Sequence, residues 1–143
     1  MKNEELEELV CRFEDNFGID GKLEKNFSEK FKILLEEKEI EVDEFMEETG
    51  LSDEIFGNYC KGKSDPSLRS ITAFCHAFEF DRNAFDSLLK AGGFTVNYRK
   101  KRDCAYAFLI TDCADLSIED CNKILKKIGL EEHELLPIPK KLK

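Results

Sequence analysis

Six cysteines and two histidines are the residues of this chain best suited to nucleophilic or metal chemistry. The cysteines stand at 11, 60, 75, 104, 113 and 121, the histidines at 76 and 133. Structural zinc sites draw two ligands from one tight turn, and no C-x-x-C pair exists here. Cys104, Cys113, Cys121 and His133 are a conceivable ligand set that lacks such a pair. Cys75, beside Phe74 and near Phe78, reads as a small buried hydrophobe. His76 adjoins Cys75, but successive helical residues diverge by about 100°, so it reads as a surface or packing histidine. There is no glycine-rich phosphate loop, no H-E-x-x-H and no G-x-S-x-G. These absences point away from an enzyme, and to no metal and no cofactor.

The charged residues carry a second kind of chemistry. The 143 residues hold 31 acids against 22 Lys and Arg, a net charge of -9. This excludes binding to nucleic acid by bulk charge alone. The charge is uneven. Residues 98–143 hold ten bases and eight acids, so residues 1–97 carry the whole deficit and more. Ten acids crowd the span from Glu36 to Glu54, with Lys38 as its one base. Beyond it come Lys61, Lys63 and Arg69, and later the run Arg99-Lys100-Lys101-Arg102.

The elements that position these residues read as helices throughout. No long alternating segment and no Asn-Gly or Asp-Gly hairpin turn is present. Leu6, Leu9, Val10, Phe13 and Phe17 repeat at helical spacing up to Gly18. A linker with Gly21 follows to Asn26. The pattern then predicts helices over 28–38, 42–49 and from Ser52 to about Cys60, with Gly50 and Gly62 as stops. Ser64-Asp65-Pro66-Ser67 opens the next, with Leu68, Ile71, Phe74, Cys75 and Phe78 inward. Another spans about 83–91 and closes at Gly92-Gly93. A final pair covers 98–111 and 117–128, the latter opened by Ser117-x-x-Asp120. The tail from Leu136 is expected to fray. The longest apolar run, Ala105 to Ile110, is far short of the roughly 20 residues that span a bilayer. Met-Lys-Asn-Glu-Glu-Leu-Glu-Glu at the start carries no apolar stretch, so no membrane role and a cytoplasmic location with reduced thiols are expected.

Tyr59-Cys60-Lys61-Gly62-Lys63-Ser64-Asp65-Pro66-Ser67-Leu68 resembles a Tyr-Glu-x-Gly-Lys-x-x-Pro-Ser-Leu segment of the lambda-repressor-like (XRE-type) helix-turn-helix family. Phe45, Gly50, Leu51, Ser52 and Phe56 fall on the family's core and turn positions, and Ile71, Phe74, Cys75, Phe78, Phe85, Leu88 and Leu89 on its closing helices. The likeness spans Phe31 to Gly93. It implies a five-helix helix-turn-helix domain over 27–94; the helical pattern makes the whole chain all-α and adds an N-terminal helix and linker over 1–26 and a C-terminal helical appendage over 95–143, both outside the matched unit and suited to dimerisation.

The resemblance further implies a DNA-binding transcriptional regulator, acting as a homodimer. Its DNA-contacting positions would be Ser52, Asp53, Glu54, Asn58, Lys61, Lys63, Ser67 and Arg69. Three departures stand out. The family's Arg–Glu pair is replaced by Leu35 and Cys60, an exchange of both partners that leaves no buried charge unpaired. Val42 stands where a phosphate-touching Gln is common, and Asp53-Glu54 where many members place Arg, Gln, Ser or Thr. A carboxylate about 6 Å from a phosphate costs about 0.7 kcal/mol in water and about 3 at an effective dielectric of 20. Against this, acids can accept from the cytosine amino group, and Asn58 suits adenine. The alternative is a protein-binding module on the same scaffold, an antirepressor or inhibitor whose acidic face binds a basic partner.

Overall fold

The computed structural model describes residues 2–17, 22–63 and 66–139. Gly18, Gly21, Ser64 and Asp65, and the side chains of Phe13 and Phe17, lie outside the described residues. Among the described residues the chain is all helical: α1 (Asn3–Phe17), α2 (Lys22–Glu37), α3 (Val42–Thr49), α4 (Asp53–Lys61), α5 (Leu68–Ala77), α6 (Arg82–Ala91), α7 (Lys101–Asp112) and α8 (Ile118–Ile128), followed by one 3-10 turn at Glu132–Glu134. No helix among them is long and apolar enough to cross a membrane. α2 starts before the expected Ser28, so residues 22–26 are helical and not linker.

The core is built around aromatic rings. Phe27, Phe31 and Leu35 recur every four residues on one stripe of α2, and all three are buried. Phe31 is the hub: its ring centroid lies 6.0 Å from Phe45, 5.9 Å from Phe56, 5.5 Å from Tyr59 and 4.9 Å from Phe74. These tilted and edge-on contacts each add about 0.5–1.5 kcal/mol beyond the area they bury. Because the rings belong to four helices, they fix α2, α3, α4 and α5 against one another.

α5 is the central helix. Every residue from Ser70 to His76 is buried, the pattern of a helix packed on all sides. Two of its polar members are paired locally: Thr72 Oγ1 donates to the Leu68 carbonyl at 2.8 Å, and Ser70 bonds to the Ser67 hydroxyl. α5 packs against α3, α6 and α7. The α7–α8 pair therefore extends the same core, with Leu109, Cys121 and Leu125 fully enclosed. Caps set the boundaries: Ser52, Ser67, Asp81 and Ser117 each accept from the amide three residues on.

α1 differs from the rest. Leu6, Leu9 and Val10 do lie at helical spacing, but they stay about half exposed, at 52%, 46% and 48%. The C-terminal segment departs from expectation in the opposite sense. Leu135 and Leu136 are buried and Pro139 packs inward, so the chain is held well past Leu136.

Candidate nucleic-acid interface

The sequence-expected contact residues gather on and after α4. α3 buries Phe45 and Thr49 and ends at Gly50, whose φ of +73° is left-handed. Thr49 Oγ1 donates to the Phe45 carbonyl at 2.6 Å and accepts from the Leu51 amide at 3.0 Å. That pins the turn and buries Leu51. Ser52 then opens α4, its Oγ accepting from the Ile55 amide at 3.2 Å. At the far end the Asn58 carbonyl accepts from Lys63 N at 3.0 Å, so the chain leaves α4 in a fixed direction.

Tyr59 is the buried residue of α4, and Ile55, Phe56 and Cys60 are its partly buried ones packed on the core. The opposite face carries Asp53, Glu54, Gly57, Asn58 and Lys61. Asp53, Glu54, Lys61 and the following Lys63 are exposed, and Asn58 is half-buried. Ser52 and Ser67 are exposed, but both hydroxyls are engaged as caps; Ser67 Oγ also donates to Ser70 Oγ at 2.8 Å.

Arg69 has a different neighbour. Its Nε donates to the Leu135 carbonyl, so one of its donors is taken by the C-terminal segment. Its charge also acts on the Tyr106 phenol, which burial nonetheless pushes up to about 12. The acids keep their exposure. Glu47, Asp53 and Glu54 make no ion pair among the described residues. Lys38, the base within the acidic span, is turned elsewhere: its ammonium donates to the Phe78 carbonyl at 2.5 Å and lies 4.8 Å over the Phe80 ring. The run Arg99–Arg102 leads into α7, which starts at Lys101, and Arg102 reaches the buried Asp103 at 3.4 Å.

The C-terminal segment is bound by its main chain. Tyr106 Oη donates to the Glu134 carbonyl at 2.5 Å. Asn122 Nδ2 donates to the Leu136 carbonyl at 3.0 Å, and its Oδ1 accepts the Leu136 amide at 2.8 Å. With Arg69, side chains from α5, α7 and α8 thus hold three consecutive carbonyls. The segment then crosses the α3–α4 turn: a Cβ on Gly50 would stand 2.3 Å from the Ile138 carbonyl oxygen. Pro139 next lines a cleft with Glu48, His76 and Glu79.

The thiol and imidazole groups form a separate buried cluster. His76 Nε2 lies 2.9 Å from the Cys113 carbonyl and 3.3 Å from Cys121 Sγ. The carbonyl can only accept, so it selects the tautomer with the proton on Nε2. His76 Nδ1 is buried with no partner among the described residues. Burial pushes the Cys121 thiol up to about 12 and the Cys75 and Cys113 thiols above their usual range. These are protonated packing groups and not nucleophiles. No group of three or more His, Cys, Asp or Glu among the described residues is placed to hold a metal ion.

No protein-family model, no curated protein and no solved structure matches this chain.

Proposed function

We propose that this chain is a DNA-binding transcriptional regulator of the XRE-type helix-turn-helix kind, without catalytic activity, acting as a cytoplasmic homodimer. The observation that carries the proposal is α3–Gly50–α4. Two short helices are joined by a left-handed glycine and a buried Leu51, and α4 turns a polar face outward. Asn58 is the base-reading residue, since a carboxamide pairs with adenine in the major groove. Lys61 and Lys63 are the phosphate contacts. Ser52 and Ser67 fix the N-termini of α4 and α5, whose amides favour an anion. Asp53 and Glu54 restrict the sites that bind, through cytosine amino groups and repulsion from misplaced phosphates. One recognition helix reads few bases, so two copies reading half-sites about 34 Å apart complete the site. The exposed stripe Leu6, Leu9 and Val10 of α1 offers the pairing surface.

The salt dependence of duplex binding tests this. Lys61→Ala with Lys63→Ala should weaken binding to all sequences and lower the slope of log K against log salt by about 2 per protomer. An unchanged slope contradicts the assignment.

A second reading has its own observation, the exposure of Glu47, Asp53 and Glu54 without ion pairs among the described residues. Here the acidic face captures a basic protein surface. Reversing all three charges should abolish capture of such a partner; retained capture rejects this alternative.

A further inference from the structure

α4 contains one residue that the chain's own packing does not require. Gly57 stands in the middle of this nine-residue helix, four residues after Asp53 and four before Lys61. A glycine inside a helix is less favourable than alanine, because the unfolded chain loses more freedom there. Such a residue usually answers a left-handed φ or a close neighbour. Gly57 has neither: it is absent from the positive-φ residues, and a Cβ built on it meets nothing within 4 Å. Gly50 shows the contrast, since its φ is left-handed and the Ile138 carbonyl fills the space its Cβ would take.

The position of Gly57 is what gives it meaning. Spacings of three and four residues share a helix face, so Glu54, Asp53 and Lys61 flank it, with Asn58 alongside. Gly57 is therefore a bare notch at the centre of the outward face, where the helix main chain itself is reachable.

We propose that Gly57 is the point of closest approach between α4 and DNA, where the main chain lies against a base edge in the major groove. This rests on the DNA-binding reading above. A helix with its side chains is about 10–12 Å across and the groove about 12 Å wide, so depth of entry is set by the side chains that touch the floor. Without a side chain at the centre, the helix axis settles deeper and Asn58 reaches its base directly. Gly57 is half-buried, but the open space over its Cα also offers an apolar surface to a thymine methyl, the apolar group of that groove.

Gly57→Ala and Gly57→Gln in the full chain test this, with two readouts. The first is the thermal midpoint. The second is affinity for the duplex that the wild-type chain selects from a random pool. Gly57→Ala should raise the midpoint by a few degrees and weaken binding at least tenfold, with Gly57→Gln weaker still. A raised midpoint with affinity unchanged within twofold overturns the role of Gly57 and leaves the DNA reading standing. A lowered midpoint for Gly57→Ala overturns the open-space premise and the proposal with it. If the wild-type chain selects no duplex, both fall.

Discussion

The side-chain amide of Asn122 holds the main chain of Leu136 at two points, accepting its N–H at 2.8 Å and donating to its C=O at 3.0 Å. Leu136 is only 2% exposed, so neither backbone group has ready access to water. A segment without regular structure can be buried only if its amides are paired, and Asn122 supplies the pair. Through this clamp α8 delivers Pro137 and Ile138 onto the turn that precedes α4.

Removing the clamp should be costly. Asn122→Ala leaves a buried donor and a buried acceptor unsatisfied, at about 1–3 kcal/mol each. The expected loss is about 2–6 kcal/mol in urea unfolding, with fast hydrogen exchange at the Leu136 amide. Loss below 0.5 kcal/mol, or retained protection, would mean the segment is held by its leucines alone.

Gly50→Ala should destabilise through two additive causes. A left-handed backbone costs a non-glycine residue about 1–2 kcal/mol. The added methyl must also displace the Ile138 carbonyl, 2.3 Å from it. The expected outcome is a loss above about 2 kcal/mol, accompanied by faster exchange at Leu136. A loss of about 1 kcal/mol with Leu136 still protected would show that the segment does not press on the turn.

The buried thiols predict a stability that falls at high pH. Burial holds Cys121 neutral up to about 12 and raises Cys75 and Cys113 in the same direction, whereas an unfolded thiol ionises near 9.0. Between these values the unfolded chain binds fewer protons than the folded one, so stability decreases as pH rises. Urea midpoints should be flat with respect to these thiols below pH 9 and decline from there towards 12. Thiol labelling at neutral pH should agree: the exposed Cys11 reacts in the folded chain, and Cys75, Cys113 and Cys121 only after unfolding. Prompt labelling of Cys121 would contradict the buried cluster.

How much of this was legible in the sequence depended on whether the signal is local. At α5 the cap is Ser67, so Pro66 precedes the helix and does not stand in its first turn, whereas Val42–Thr49 is bounded as the pattern predicts and Ser52 and Ser117 cap the helices they precede. These signals lie within three or four residues of their effect. The docked C-terminal segment was not legible. Leu135-Leu136-Pro137 has no periodicity, and its partners Arg69, Tyr106 and Asn122 act on carbonyl and amide groups that every sequence contains. In the sequence Arg69 shows only its charge, while part of its donor capacity serves the fold. The His76–Cys121 contact, 45 residues apart, was hidden for the same reason. Gly57 carried a signal that composition cannot weigh: a helix-breaking residue in a helix matters only once the space around it is known.

The central claim is that the outward face of α4 reads DNA. Its most direct test is selection from a random double-stranded pool by the full chain at low salt, followed by footprinting of the enriched duplexes. The account predicts an enriched site of two related half-sites about 34 Å apart, whose specificity relaxes at one base position in each half when Asn58 is changed to alanine. No enrichment above the input pool, or an enriched site indifferent to Asn58→Ala, would contradict it.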